Sequence, residues 1–317
     1  MLLENLMFDI KEKFTLVITV HNDLTYIEDC LEYYGDFCNI IVADSSKELG
    51  LYSLDVRDNV QVIHEPGKLY YKKLRDVFSK VATPYMLDLS DDDIVFKEAI
   101  LELVAKMEVD DAIVAADGYW LEGSDGDSLT TEELFKRGFV EYSPDPDMIT
   151  RTLTIMKNFS PPNHAIFRTE FILSFYSYYC EWPTLWPVRW WDKILAFMTC
   201  CAGQYMHVPI KYGRSGPGQR IMSDRTKVYP FELSRATPWD AIFDSPEELI
   251  PICQWVHVYS FKRVDDKEHD VIDIIRRFVY KSMMLVPNDR DIKRHHKLIW
   301  KTNWPDIPLN KDCVLYK

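Results

Sequence analysis

Short apolar segments alternate with segments of helical periodicity in the first part of the chain, and this alternation limits the possible folds more than any other feature. Residues 14–20, 39–43, 60–64 and 85–89 are mostly apolar, and the first of them is rich in β-branched side chains. Apolar residues recur at helical spacing between the first two segments and again over residues 68–81. Strand–helix–strand units with short links predict a mostly parallel sheet with crossover helices.

Polar residues follow the predicted strands at the points where those strands end. His21 and Asn22 follow the first strand, Asp44 and Ser45 follow the second, and three aspartates at 91–93 follow the strand before them. In open parallel sheets, ligands bind beyond the carboxyl ends of the strands. The sequence therefore predicts a ligand site at this edge of the sheet.

The three consecutive aspartates, Asp91, Asp92 and Asp93, carry like charges that repel one another. Such a cluster at a strand end points to a compensating cation or a polyhydroxyl ligand. Carboxylate oxygens suit Mg²⁺ or Mn²⁺, which usually share their coordination with a substrate phosphate. The preceding helical segment supplies cations that could meet phosphate oxygens: Lys72, Lys73 and Arg75. A solvated acidic turn is the alternative that this short motif leaves open.

The amino-acid composition argues against some classes of partner and some locations. The formal net charge of −13 and the isoelectric point of about 5.1 argue against a nucleic-acid partner, although they do not exclude a nucleotide. Seven cysteines without metal-type spacing are typical of reduced thiols in a cytoplasmic protein. Residues 1–13 lack the apolar core of a signal peptide, and no uncharged run reaches the ~18 residues of a membrane span. We expect a cytoplasmic protein with at most peripheral membrane contact.

Segments 14–22, 40–46 and 71–93 resemble the N-terminal half of a family 2-like glycosyltransferase of GT-A fold, and the run of three aspartates is similar to that of a bacterial subgroup. The resemblance implies an α/β nucleotide-diphospho-sugar transferase fold with a mostly parallel, Rossmann-like sheet. It places a catalytic domain at 14–220, after an N-terminal tail at 1–13. Residues 221–317 show helical periodicity and are predicted to be a helical extension that could make an oligomer contact.

The resemblance also implies roles for individual residues. Asp91 and Asp93 would hold the Mn²⁺ or Mg²⁺ ion that bridges the diphosphate. The residues implied to contact the nucleotide are Thr19, Val20, Asn22, Asp44, Lys73, Asp91 and Asp92. Usual family members have Pro-Tyr-Asn after the first strand, whereas this chain has Val20-His21-Asn22, which leaves the base contact open.

Asp192 stands at the head of a predicted helix over 193–201, where the resemblance implies the catalytic base. The family usually has an acidic pair at this point, whereas here Trp191 precedes the aspartate. Asp192 could also be a helix N-cap, and the two roles can coexist.

Four residues are candidates for substrate contact. Asn163 and His164 match an acceptor-site segment of the family, and Trp191 belongs to a tryptophan-rich stretch whose rings could stack on sugars. Arg214 lies in a glycine-rich segment, 213–220, that is predicted to be a loop closing on a diphosphate. The alternatives are a structural histidine, an ordinary aromatic core and a plain linker.

The function implied by the resemblance is inverting, metal-dependent transfer of a sugar from a nucleotide-diphosphate donor, with a UDP-sugar the expected one. The acceptor would be a hydroxyl of a saccharide or glycolipid in cell-surface polysaccharide assembly. The alternative is a non-catalytic sugar-nucleotide-binding or assembly module of the same fold, because His21 and Trp191 depart from the family pattern. The first strand is followed by neither Asp-x-Asp nor a glycine-rich loop, which argues against a phosphohydrolase or a nucleotidyltransferase.

Overall fold

The structure is a computed structural model that describes residues 10–22, 25–47, 57–68, 70–121, 148–157, 162–181 and 191–214. The predicted C-terminal extension, 221–317, lies outside the described residues. Internal contacts divide the chain into two compact units. The first unit comprises 1–143, 162–181 and 206–225, and the second comprises 144–161, 182–205 and 226–317.

The described elements alternate between strands and helices along the chain. In order they are β1 (Phe14–Val20), α1 (Ile27–Tyr34), β2 (Asn39–Asp44), β3 (Val60–His64), α2 (Tyr70–Phe78), β4 (Tyr85–Ser90), β5 (Ile94–Val95), α3 (Lys97–Val109), β6 (Ile113–Leu121), α4 (Met148–Lys157), β7 (Ile166–Arg168), α5 (Thr169–Glu181), α6 (Trp191–Ala202) and β8 (Gln204–Arg214). The strands form one sheet in the order β3-β2-β1-β4-β7-β6-β8-β5. None of the described helices is long and apolar enough to cross a lipid bilayer.

The first four strands in the chain form the parallel part of the sheet. β1 pairs in parallel with both β2 and β4, and β2 pairs in parallel with β3. The register sets Val20 opposite Asp44, and Asp44 opposite His64, while Thr19 lies opposite Ser90. These strands therefore end side by side, which confirms the predicted α/β fold class and the shared carboxyl edge.

The other half of the sheet contains antiparallel pairs. β7 runs antiparallel to both β4 and β6, and the two-residue strand β5 runs antiparallel to the end of β8. In that last pair Ile94 faces Arg214, and Val95 faces Gly213. Gly213 and Arg214 are therefore the end of a strand, which differs from the predicted loop, and 215–220 lie outside the described residues.

The core of the first unit packs helices on both faces of the sheet. On one face, alternate residues of β1 and β4 pack against α1 and α3; examples are Leu16, Ile18, Leu87, Leu89, Leu31 and Leu103. Each large apolar side chain buried in this way stabilises the fold by about 1.5–3 kcal/mol. On the other face α2 and α5 pack together, with Phe78 and Tyr176 edge to face at 5.0 Å.

In the second unit, α4 packs against α6. Arg151 Nε donates a hydrogen bond of 2.9 Å to the Cys200 carbonyl. This carbonyl is in the last turn of α6, where no backbone N–H of the helix is left to donate to it. α6 begins at Trp191, two residues before the predicted start at residue 193, and Asp192 is its second residue. The side chains of Trp191 and Asp192 lie outside what the structure describes.

Candidate functional site

The ends of β1 and β2 are joined by side-chain hydrogen bonds just beyond the sheet. His21 Nδ1 lies 3.0 Å from Ser45 Oγ, and the Asn22 backbone N–H donates to Ser46 Oγ over 2.8 Å. Asn22 has a φ of 59°, in the left-handed region that asparagine enters more readily than most residues. Its Oδ1 accepts a hydrogen bond from the Lys47 backbone N–H. The predicted residue Asn22 therefore shapes this edge through backbone geometry.

Asp44 is fully buried at the end of β2. Its Oδ1 accepts the Ser46 N–H over 2.8 Å, whereas Oδ2 has no hydrogen-bond partner among the described residues. His64 Nε2 lies 3.7 Å from that Oδ2 and 2.9 Å from the Ser46 carbonyl. Because a carbonyl can only accept, Nε2 carries the proton. Asp44 thus keeps one buried acceptor atom without a hydrogen bond.

Thr19 and Val20, which are also predicted to contact the nucleotide, lie at the same edge. Both make contacts within the sheet. Thr19 Oγ1 donates to the Leu89 carbonyl over 3.2 Å, which ties β1 to β4. The Val20 side chain is buried in the core, and its carbonyl accepts the Ser45 N–H. The structure therefore gives both residues a structural role at the edge, and their contact with a nucleotide stays a prediction.

Lys73 is buried on α2, and its ammonium group reaches the ends of β1 and β2. Nζ lies 3.4 Å from the Val20 carbonyl, 3.2 Å from the Ala43 carbonyl and 3.0 Å from Ser45 Oγ. Its three protons thus have three protein acceptors. Lys73 holds the two strand ends together, whereas its predicted contact with the nucleotide stays a prediction.

A group of carboxylates surrounds this ammonium. Burial lowers the pKa of Lys73, while the charges of Asp88, Asp44 and Asp91 oppose that change. A single cation therefore lies within electrostatic reach of both Asp44 and the aspartate turn, defined as residues 91–93. The predicted nucleoside residue Asp44 and the predicted metal residue Asp91 therefore act on the same ammonium group.

Asp88 is an acidic residue inside β4 that the sequence reasoning did not select. Its Oδ1 is buried without a hydrogen-bond partner among the residues that the structure describes, and Oδ2 accepts the Tyr70 hydroxyl over 3.3 Å. Burial raises the pKa of Asp88 to about 7, although Lys73 and Tyr70 act in the opposite direction. The signal in the sequence was a charged residue interrupting an apolar strand.

Two side chains of helix α1 form hydrogen bonds with the backbone in and next to the aspartate turn. Cys30 Sγ donates to the Asp91 carbonyl over 3.0 Å, and burial raises the pKa of this thiol to about 12, so it keeps its proton. The Tyr34 hydroxyl donates to the Val95 carbonyl over 3.1 Å and accepts the Val95 N–H over 2.9 Å. Two side chains one helical turn apart therefore fix the backbone on both sides of Asp93.

His164 is the predicted substrate residue that the structure brings to the turn. Its Nε2 lies 4.0 Å from Asp93 Oδ2, and its ring stacks on Trp120 with centroids 4.9 Å apart. The neighbouring Asn163 has a buried Oδ1 that lacks a hydrogen-bond partner within the described ranges. Both residues thus stay candidates, and His164 lies at the aspartate turn.

The donor set at the turn is suited to a divalent cation that shares its coordination with a ligand. The turn offers the carboxylates of Asp91 and Asp93, and the imidazole of His164 lies beside Asp93, with Nε2 4.0 Å from Asp93 Oδ2. In the part of the chain that the structure describes, no group of three or more His, Cys, Asp or Glu could hold a metal by itself. Mn²⁺ and Mg²⁺ commonly complete their shells with substrate phosphate oxygens and water. The residues therefore fit such an ion as a partial set of ligands.

Residues 15–174, just over half of the chain, match the family described as Glycosyl transferase family 2. The chain belongs to this family. The match includes the whole carboxyl edge from β1 to β4, the aspartate turn and the His164 segment. A search of curated proteins finds no match.

Solved structures with the same fold include the S. aureus protein TarS. TarS 1–349 superposes with a TM-score of 0.51 at 14% identity, covering 87% of this chain and 73% of that one. The same fragment in complex with UDP-GlcNAc gives 0.52 at 15% identity, covering 87% and 74%. The longer TarS structure gives 0.50 at 14% identity, covering 87% and 44%. At this level of identity, the likeness supports the fold alone.

The other residues predicted from the glycosyltransferase resemblance are Asp192, Trp191, Arg214 and Asp92. Asp192 and Trp191 belong to the second unit, and their side chains are not described. Arg214 is exposed at the end of β8 and pairs with Ile94, the residue directly after Asp93. Asp92 is half-buried in the turn. The described part of the site therefore contains the residues that are predicted to contact the nucleotide and the metal.

Proposed function

We propose that this family 2 protein transfers a hexosyl or related sugar from a UDP-sugar to a hydroxyl of a saccharide or glycolipid, with Mn²⁺ or Mg²⁺ and with inversion at the anomeric carbon. The observation that supports it is the meeting of Asp44 and the aspartate turn at one sheet edge around Lys73. Cell-surface polysaccharide assembly in the cytoplasm and an oligomer contact through 221–317 belong to the same proposal.

The single unpaired acceptor of Asp44 favours uracil as the base. Oδ1 already accepts the Ser46 N–H, whereas Oδ2 has no hydrogen-bond partner among the described residues, so Oδ2 is the oxygen best placed to accept a hydrogen bond from a ligand. Uracil offers one such donor, N3–H. The N3 of cytosine is an acceptor and would repel the carboxylate, while guanine offers two adjacent donors that need two free oxygens. Because Asp44 is fully buried, a bound base must displace neighbouring groups to reach it.

Asp91 and Asp93 would hold the cation, and their backbone is fixed for this by Cys30 and Tyr34. A divalent cation, when bound, neutralises the charge that develops on the departing diphosphate. The acceptor oxygen forms a bond to the anomeric carbon as the bond from that carbon to the diphosphate oxygen breaks. Asp192 takes the proton of the acceptor hydroxyl as general base. One base is sufficient for this displacement.

The second candidate function is a non-catalytic module that binds nucleotide-sugars. The observation in its favour is His21, which bonds to Ser45 at the position where usual family members have an aromatic Tyr. Release of UDP from UDP-sugars by the purified chain, dependent on Mn²⁺, supports the enzyme. Binding of UDP-sugars that ignores Mn²⁺, without turnover, supports the module.

The base preference is tested by calorimetric titration of the full chain with UDP, CDP and GDP in the presence of Mn²⁺. We expect UDP to bind most tightly and Asp44→Asn to weaken UDP at least about tenfold, because a charged hydrogen bond contributes about 1.5–3 kcal/mol. Asp58→Asn, an exposed aspartate before β3, is the matched control and should leave binding unchanged. Equal affinity for the three nucleotides, unaffected by Asp44→Asn, would refute the proposal.

The role of Asp192 as the general base is tested by a separate experiment. Asp192→Asn should abolish transfer while UDP affinity stays the same, since the acceptor's proton then has no carboxylate to receive it. Normal transfer by this variant would assign the base to another residue.

A further inference from the structure

We propose that His164 is a second protein ligand, with Asp93, of the divalent cation at the aspartate turn. The inference rests on the proposed function, since the ion concerned is the one that accompanies the nucleotide diphosphate. It adds a nitrogen donor from the segment before β7 to a site otherwise built from the turn after β4.

The distance between the two side chains suits a shared ion. His164 Nε2 and Asp93 Oδ2 are 4.0 Å apart. In an octahedral shell with bonds of about 2.1 Å, neighbouring donors lie about 3.0 Å apart and opposite donors about 4.2 Å apart, so the observed 4.0 Å is close to the separation of opposite donors. The imidazole is 38% exposed, whereas the Asp93 side chain is 13% exposed, so the pair is open to an ion and a ligand on the histidine side.

The other ring nitrogen sets the tautomer that a ligand needs. His164 Nδ1 lies 3.5 Å from the Asp88 backbone carbonyl, which can only accept. In the neutral imidazole the proton is therefore on Nδ1, and the lone pair is on Nε2, the nitrogen next to Asp93. Histidines that bind metals almost always donate their second ring nitrogen to a carbonyl or carboxylate in this way.

The imidazole is held in place by its surroundings. Its ring stacks on Trp120 at an interplanar angle of 21°, and the Tyr212 hydroxyl donates to the His164 carbonyl over 2.5 Å. Trp120 in turn lies so close to Gly213 that a Cβ there would approach the indole to 2.6 Å. A ligand whose ring orientation is fixed before the metal arrives loses less entropy on binding.

The alternative is a protonated His164 that forms an ion pair with Asp93 and contacts no metal. The two cases differ in whether a nitrogen is bonded to the ion. Pulsed electron paramagnetic resonance of Mn²⁺ bound to the full chain with UDP detects a directly bonded imidazole through its ¹⁴N coupling. We expect this coupling in the wild type, its loss in His164→Gln, and its retention in His21→Gln, which changes another histidine at this edge.

Calorimetry gives an independent measure. In the presence of UDP, His164→Gln should weaken Mn²⁺ binding about tenfold or more, while UDP binding without metal stays unchanged. Wild-type protein that binds Mn²⁺ and UDP without a ¹⁴N coupling would overturn this inference and leave the proposed function standing. Wild-type protein that binds no Mn²⁺ in the presence of UDP would overturn both. The wild-type spectrum decides the first question even if a variant fails to fold.

Discussion

The buried carboxyl of Asp88 should make the protein less stable as pH rises through neutrality. Burial raises its pKa from an ordinary 3.8 to about 7. Between these values the folded state holds a proton that the unfolded state has released, so stability falls with increasing pH. The contribution is complete below about pH 4 and is lost above about pH 7. Asp88→Asn, which has a similar shape and no charge, should remove this dependence.

The magnitude follows from the two pKa values. A change from 3.8 to about 7 corresponds to about 4 kcal/mol in total, at about 1.4 kcal/mol for each factor of ten. At pH 6 about 3 kcal/mol of this is already lost, and the loss between pH 6 and pH 8 is about 1.4 kcal/mol. Relative to the wild type, Asp88→Asn should therefore gain about 1.4 kcal/mol between these two pH values.

The assay is urea denaturation of metal-free wild-type and Asp88→Asn protein at pH 6, 7 and 8, followed by tryptophan fluorescence. This range avoids the isoelectric point near pH 5.1, where solubility is lowest. Asp58→Asn, which removes an exposed carboxylate, controls for the change in net charge. If the stability difference between Asp88→Asn and wild type is the same at pH 6 and pH 8, Asp88 does not titrate in this range and the reasoning fails.

Three further substitutions test contacts within the first unit. Tyr34→Phe leaves the buried N–H and carbonyl of Val95 without their partner, so we expect a loss of about 1–3 kcal/mol in urea denaturation and weaker Mn²⁺ binding by calorimetry. Lys73→Met removes the charge that lowers the pKa of Asp88, so the pH dependence of stability should move to higher pH. Gly118→Ala places a Cβ 2.8 Å from the Ile210 carbonyl, and unfolding measurements should show a loss of about 1–3 kcal/mol.

The parallel half of the fold could be predicted because its signals are local. Each strand there is a short apolar run ended by polar residues, and each helix has its own apolar stripe. The boundaries were less well predicted: α2 begins at Tyr70 although helical spacing begins at Lys68. Gly67 has a φ of 71°, and Lys68 pairs with Glu65 and Asp76, so the chain turns before the helix starts.

The antiparallel half was harder to predict because its pairing is set by residues far apart in the chain. β5 is only two residues long, and it is a strand only because it pairs with Gly213 and Arg214 of β8. α5 was missed because apolar and aromatic residues occur on opposite sides of the helix: Phe171, Phe175 and Tyr179 are buried on one side, and Leu173 lies on the opposite side. Such a helix lacks the apolar stripe that marks one packed on a single side.

Within the site, the residues that could be predicted were those at strand ends. Asp44 and Asp91 can be recognised from their positions at the ends of apolar runs, whereas no local sequence pattern distinguishes the residues that support the aspartate turn. Cys30 and Tyr34 look like ordinary members of an apolar helical stripe, and only the packing of α1 beneath the turn reveals their hydrogen bonds. Likewise, the contact of His64 with Asp44 depends on the strand register that sets the two residues opposite each other, and the sequence alone does not show it.

The charge balance of this edge explains why a nucleotide would need a metal here. The protons of Lys73 are directed at strand-end oxygens, so its charge acts on Asp44, Asp88 and Asp91 only through space. A diphosphate adds further negative charge to an edge where carboxylates already outnumber this cation, and its approach costs free energy unless a cation comes with it. Uridine adds no charge. Mn²⁺ should therefore strengthen UDP binding much more than uridine binding, and calorimetry that finds equal effects on both would contradict this account of the site.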